Sequence, residues 1–254
     1  MSTAIVAQLR RELDRREPHQ AEFAVLERFR GRPGLFVDVG ANLGQSVVSL
    51  RLYTQAMHVV CFEPLACLQP ALAELQQLEL IHHYVMVALG DGTARRLSLF
   101  VPWIEDVPLF TRASSHRSKF ADPAYRQLLQ RTAKRPEGRL RIERVEVPCA
   151  RLDDFALAPT VLKVDVEGNE LAVLRGATRT LHAHRPFLLV EPSRDRAAIL
   201  ELLQSFGYAG YRWSDGHLLP WDGGPADNVW FEPDARGGRP AADQDLKAHR
   251  LTGG

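Results

Sequence analysis

The chain has 254 residues, 45% of them hydrophobic and 25% charged, enough to bury one sizeable core or a core with a small cap. Lys and Arg number 32 against 31 Asp and Glu, a formal net charge of +1 that argues against a surface built to neutralise many nucleic-acid phosphates. No apolar run approaches the ~20 residues of a membrane helix, and an Arg-laced start with three unclustered cysteines (Cys61, Cys67, Cys149) predicts a cytoplasmic, reduced protein.

Residues 1–34 read as an N-terminal helical appendage, with Leu9, Leu13, Phe23, Leu26 and Phe29 at helical spacing and a break at Pro18. An apolar strand, Phe36 to Val39, then breaks into Gly40-Ala41-Asn42-Leu43-Gly44 and resumes as a helix through Val47, Val48, Leu50 and Leu52. Gly40 and Gly44 can take positive φ and let backbone approach a ligand, while the free amides opening the helix favour negative or electron-rich groups. A nucleotide-like cofactor is the expectation. The turn departs from Gly-x-Gly-x-x-Gly, so the phosphate cradle of dinucleotide folds is incomplete, and S-adenosylmethionine, which has no phosphate, fits better. Asp38, inside the strand, either binds the turn amides or the cofactor, or is structural.

Met57 to Phe62 is a second strand ending at Glu63-Pro64. Glu63 lies about 20 residues past the turn, where an acid accepts from both ribose hydroxyls, a reading that also fits NAD. Leu68, Leu72 and Leu75 mark a helix, and Tyr84 to Leu89 a third strand that meets Gly90-Asp91-Gly92. Asp91 is read either as an acceptor for the adenine amino group or as an ordinary turn residue. Arg95 to Val101 alternates as a further extended segment, and the order so far repeats βαβ units.

From about 102 to 140 the pattern loosens into an insertion with a short helix near Tyr125 to Leu129. Its cations, among them Arg112, Arg117 and Lys119, are expected either to lid the site for an anionic acceptor or to form a solvated basic face. His116 either swings over the cleft as a base or is an exposed loop histidine. Trp103, Phe110, Trp213 and Trp221 offer stacking faces for a sugar, or complete the core.

Ile142, Val145 and Val147 restore a strand, and Val161 to Asp165 is a short apolar strand of the kind buried in parallel sheets. Asp165 falls at its carboxyl end, where open α/β sheets place ligands, and is the preferred catalytic candidate. Glu167 and Glu170 carry either chemistry or favourable charge at the next helix start, marked by Leu171, Leu174 and Leu181. Phe187 to Val190 ends at Glu191, which could share a proton with Asp165 or join it in an oxygen-ligand metal site. A helix through Ile199 and Leu203 and strands near Tyr208 to Trp213 and Asn228 to Phe231 complete a domain over 35–232. Residues 233–254 read as a disordered tail.

Val37-Asp38-Val39-Gly40-Ala41-Asn42-Leu43-Gly44, Phe62-Glu63-Pro64, Ala88-Leu89-Gly90-Asp91, Arg151-Leu152-Asp153-Asp154 and Leu162-Lys163-Val164-Asp165-Val166-Glu167-Gly168-Asn169-Glu170, in this order, resemble the FkbM family of S-adenosylmethionine-dependent methyltransferases. The resemblance runs from about Leu35 to Phe231. It implies a doubly wound, mostly parallel, seven-strand-type Rossmann-like α/β sheet and O-methylation of a small metabolite, sugar or polyketide-type acceptor. By the same motifs, Asp38, Gly40, Asn42, Gly44 and Glu63 would line the cofactor site, and Asp165 and Glu167 would border the reaction centre.

Methyl transfer to a hydroxyl needs chiefly positioning, with a base drawn from Asp165, Glu167, Glu191 or His116, or a divalent cation on the hydroxyl. Two other readings remain at this point. One is a noncatalytic nucleoside-cofactor-binding interaction module. The other is an NAD-dependent oxidoreductase, which lacks a Tyr-x-x-x-Lys pair here.

Overall fold

The computed structural model describes residues 2–192 and 194–234, so the expected tail from 235 onward lies outside the described residues. Helix α1 (Ser2–Asp14) and a 3-10 helix (Ala21–Phe29) precede β1 (Gly34–Val39). α2 (Gln45–Tyr53) leads to β2 (Met57–Phe62), and α3 (Gln69–Gln77) to β3 (His83–Val85). Then come β4 (Ala88–Leu89), β5 (Arg96–Ile104), β6 (Val107–Pro108), α4 (Pro123–Thr132) and β7 (Leu140–Ala150). The remaining elements are β8 (Val161–Val164), α5 (Glu170–Arg175), α6 (Thr178–His184), β9 (Phe187–Val190), α7 (Arg196–Ser205), β10 (Tyr208–Ser214), β11 (His217–Pro220) and β12 (Val229–Pro233).

The main sheet runs β11-β10-β12-β9-β8-β1-β2-β3. β3, β2, β1, β8 and β9 are mutually parallel, β12 is reversed beside β9, β10 is antiparallel to β12, and β11 is antiparallel to β10. The chain starts at β1, winds outward to β3 and returns to β8 on the other side of β1. The carboxyl ends of β1 and β8 therefore flank the switch point at which open α/β sheets bind ligands.

Alternate strand residues serve two apolar layers, as the pleat requires. Phe36, Met57, Val59 and Cys61 face a core completed by Leu50 of α2 and Leu72 of α3, together with Leu9 and Phe23 of the N-terminal segment. Val37, Val39 and Phe62 face the opposite core with Leu174, Leu181, Ile199 and Leu203. The sheet is thus doubly wound. Its strand count exceeds the seven-strand type by one, because Asp215 (φ 49°) and Gly216 (φ 86°) turn β10 back onto β11.

Several elements differ from the sequence expectation. The third strand is two strands: Val87 N–H bonds Val85 O at 3.0 Å, and past that tight turn β4 leaves the main sheet to pair with β7. The second leading helix is 3-10. The helix expected through Leu171 to Leu181 breaks into α5 and α6 at Gly176, where a Cβ would lie 1.9 Å from Gly90 O. Residues 102–140 extend the antiparallel β5–β7 ladder and enclose a small core of Ile104, Leu109, Phe120, Leu129 and Ala133. α4 is longer than expected and begins where the Asp122 carboxylate accepts from Ala124 N–H at 2.9 Å. No helix among the described residues is long and apolar enough to cross a membrane.

Candidate active site

The glycine turn leaves β1 with Gly40 at φ 82°, Asn42 at 53° and Gly44 at 88°. Gly40 and Ala41 N–H both bond Phe62 O, at 2.9 and 3.0 Å, which ties the turn to the end of β2. Glu63 follows directly. Only 5% exposed, it accepts from Asn42 N–H at 2.9 Å through one oxygen and from Leu65 N–H at 2.9 Å through the other. Burial raises its pKa from 4.5 to about 7 against the pull of those two amides. Asn42 Nδ2 reaches Thr111 O at 3.4 Å, while its buried Oδ1 has no partner among the described residues.

One strand over, Lys163 sits in β8 at 2% exposure and directly opposite Asp38 in the register. Its ammonium bridges Asp38 at 3.2 Å and Asp165 at 3.1 Å. Burial alone would lower the Lys163 pKa, but the two carboxylates override it and hold the charge. Asp38 is fully enclosed, and burial raises its pKa despite the ammonium. Asp38 is thus the counter-ion behind Lys163 and does not line the cavity.

Asp165 and Glu191 end the neighbouring strands β8 and β9, and their carboxyls are hydrogen-bonded to each other. For Asp165, burial works upward, but Lys163 and the bond from Glu191 leave it below the usual range. For Glu191, burial first and then the bond and charge of Asp165 drive it far upward. The two shifts run in opposite directions, Asp165 down and Glu191 up, as contact between two carboxyls beside one ammonium requires. Among the described residues no group of three or more His, Cys, Asp or Glu is placed to hold a metal ion.

The loop after β8 turns through Glu167 (φ 56°) and Gly168 (φ 113°). Buried Glu170 steadies it by accepting from Gly168 N–H at 2.8 Å. The insertion docks here: Ser114 Oγ donates to Glu167 O at 2.7 Å, and Lys119 pairs with the Glu167 carboxylate. His116 Nε2 lies 2.8 Å from Gly168 O. A carbonyl only accepts, so that nitrogen is a donor and His116 serves as a tether.

These parts enclose a cavity of about 500 Å³. Of the candidates read from sequence, Gly40, Asn42, Glu63, Asp165, Glu167 and Glu191 line it. Asp38, Gly44, Asp91 and His116 do not. Gly44 instead caps α2, where a Cβ would lie 2.1 Å from Leu75 Cδ1. Asp91 accepts from Thr93 N–H and Oγ at 2.9 and 2.7 Å, so it closes its own turn. Among the aromatics, Phe110 lines the cavity, whereas Trp221 is buried in the sheet core with its N–H on Gly224 O at 2.8 Å. Of the insertion's cations, Arg112 lines the cavity without an ion pair among the described residues, and Arg117 is exposed elsewhere.

Lys163, His19 and Gln8 are cavity residues that the motifs alone did not single out. Lys163 carried a signal: a lysine in a strand apolar on both faces demands a counter-ion, and Asp38 in the adjacent strand is one. His19 and Gln8 carried none, because the folded N-terminal segment alone brings them to β8.

An open, doubly wound sheet with a glycine turn after β1, an acid after β2 and acids after β8 and β9 defines a Rossmann-like methyltransferase. A sequence model described as the Methyltransferase FkbM domain matches residues 38–213, and the chain belongs to that family. Comparison with curated proteins gives no significant match. Among solved structures, the methyltransferase FkbM of Methylobacillus flagellatus KT is 19% identical with a TM-score of 0.46 over 78% of this chain and 43% of its own. The chain thus spans less than half of that protein. A precorrin-6y C5,15-methyltransferase from Geobacter metallireducens GS-15 is 10% identical, with a TM-score of 0.40 over 83% of each chain. An rRNA methylase from Streptococcus thermophilus is 11% identical, with a TM-score of 0.41 over 85% of this chain and 96% of its own.

Proposed function

We propose that this methyltransferase uses S-adenosylmethionine to methylate a hydroxyl of a small, anion-bearing acceptor of sugar or polyketide type. The observation that carries the cofactor is Glu63. Both of its oxygens are fixed by backbone amides, yet each keeps a lone pair for a ribose hydroxyl. The unpartnered Asn42 Oδ1 beside it suits a donor on the same ligand, and Leu65, Leu68, Val87 and Leu89 supply an apolar wall for a flat base. The donor set therefore fits a nucleoside without phosphate. Bound there, S-adenosylmethionine would supply a sulfonium methyl group. The chain's own contribution is to hold and orient: the β1 turn and Glu63 fix the nucleoside, while Asp165, kept anionic by Lys163, faces a cationic ligand in the same cavity.

Cofactor binding should track Glu63 ionisation. Because its pKa is raised to about 7, the carboxylate that ribose hydroxyls need is formed only as pH rises through that value. S-adenosylhomocysteine affinity is expected to plateau above it and to fall by up to ~10-fold per pH unit below it. Calorimetry across that range checks this, and Glu63→Gln should bind weakly with no such dependence, since its amide donor meets a backbone N–H.

Arg112 supports the anionic acceptor, as an unpaired cation on the cavity wall contributed by the insertion. Screening tritium-methyl-labelled cofactor against pooled sugar phosphates, uronic acids and hydroxylated carboxylic acids tests the reading. Label is expected on a hydroxyl of an anionic acceptor, with Arg112→Gln raising KM roughly tenfold at low salt, about the weight of one charge-assisted bond. Label confined to amines or carbon would overturn O-methylation. Cofactor binding without transfer to any pool would favour the noncatalytic module.

A further inference from the structure

The stretch between α1 and the 3-10 helix places His19 on the cavity wall beside Lys163, Asp165 and Glu191. Its ring packs on Phe23 at a centroid distance of 4.6 Å. Ser49 Oγ fixes it: His19 N–H donates to that oxygen at 3.0 Å and Nδ1 lies 2.8 Å from it, while the Ser49 hydroxyl donates to Gln45 O at 3.0 Å. The hydroxyl has one hydrogen, and the carbonyl of Gln45 can only accept it. With that hydrogen on Gln45 O, Nδ1 is the donor to Ser49, and the neutral imidazole carries its lone pair on Nε2.

The other candidate bases are already engaged. Asp165 is held between the Lys163 ammonium and the Glu191 carboxyl. Glu191 is bonded to Asp165 with its pKa pushed up by burial, Glu167 pairs with Lys119, and His116 Nε2 donates to Gly168 O. We propose that His19 Nε2 is the general base of the site, taking the proton of the acceptor hydroxyl as its oxygen is methylated. This rests on the O-methyl-transfer reading above. A lone pair of the hydroxyl oxygen forms the C–O bond, the C–S electrons of the sulfonium donor pass to sulfur, and the hydroxyl proton moves to Nε2 and then to solvent.

The surroundings suit that role. Burial lowers the His19 pKa to about 4, Lys163 and Arg15 add to the fall, and Asp165 and the Gln20 side chain oppose it. Glu12 completes the charged groups lining this part of the cavity. His19 thus stays unprotonated at neutral pH. The methylated oxonium is a far stronger acid than an imidazolium, so a base of low pKa suffices, and Asp165 stands near the imidazolium that forms.

The test is ethoxyformylation of the full-length protein with diethyl pyrocarbonate at about pH 5 and about pH 7, mapped by peptide mass spectrometry. The His19 tautomer is read in parallel by long-range proton–nitrogen NMR. An imidazole with the ordinary pKa of about 6.5 loses roughly 25-fold in reactivity between those pH values. His19 is expected to change by less than about twofold and to carry its proton on Nδ1. An unreactive His19, or a proton on Nε2, would overturn the proposal. Calorimetry with S-adenosylhomocysteine separates the two levels: His19→Gln should bind within about twofold of wild type, whereas a wild type that binds none sinks the methyl-transfer reading and the base role with it. With any acceptor that turns over, His19→Gln should lower kcat by about 10²–10⁴ without changing KM for the cofactor, and wild-type kcat in that variant would contradict the assignment.

Discussion

Gly40→Ala is expected to lose at least about 3 kcal/mol of stability and all measurable S-adenosylhomocysteine binding. Two effects combine at this position. The backbone sits at φ 82°, which strains any side chain, and the added Cβ would lie 1.8 Å from Asp165 O. Left-handed strain alone costs about 1–3 kcal/mol, and overpacking adds about the same. The obstructing atom is backbone and cannot rotate away, so β1 and β8 must part at the switch point. Gly31→Ala is the control. It has φ 68° but nothing within 4 Å of its Cβ, so it should show the strain component only and keep ligand binding. Urea denaturation and calorimetry on both variants separate the terms.

Lys163→Met is the second large effect. The substitution removes the ammonium that lies 3.2 Å from Asp38 and 3.1 Å from Asp165, and Asp38 has no exposure through which water could replace it. Breaking a buried pair by removing one partner costs about 3–5 kcal/mol. The deficit should shrink on acidification. Burial already raises the Asp38 pKa, and without Lys163 it rises further, so the folded state binds the proton more tightly than the unfolded chain. Stability relative to wild type is therefore regained as pH falls through that raised value. Adding Asp38→Leu should recover the part of the loss that Asp38 causes at neutral pH, because it removes the fully enclosed carboxylate and leaves only the partly exposed Asp165 without its ammonium. Denaturation at about pH 5.5 and about pH 7.5 reads both statements.

The doubly wound core was legible because its signals are local. Phe36 to Gly44 switches from a strand run to a helical run across two glycines, and Met57 to Phe62 ends in an acid at the spacing a nucleoside requires. Three-dimensional crowding produced the departures. Gly176 lies where the expected helix divides into α5 and α6, so close to Gly90 O that no side chain would fit, a contact invisible in the sequence. Val87 reads as strand, yet the turn it makes with Val85 sends β4 to another sheet. At the site, Gly40, Asn42, Glu63, Asp165 and Glu191 converge on the cavity because strand ends converge there. Asp91 and His116 had the right chemistry at the right point of the chain, but Asp91 is engaged by Thr93 of its own turn and His116 by Gly168 O of the loop after β8. His19 was silent in sequence, since its bond to Ser49 spans 30 residues that only the packed N-terminal segment brings together.

The most direct measurement is isothermal titration of S-adenosylhomocysteine into wild type, Glu63→Ala and Gly40→Val at about pH 8, above the Glu63 pKa, with NAD as control ligand. Micromolar binding by wild type, lost in both folded variants and absent for NAD, is the expected result. Wild-type protein that is folded yet binds no S-adenosylhomocysteine, or Glu63→Ala that binds it as tightly as wild type, would contradict the cofactor assignment at this turn.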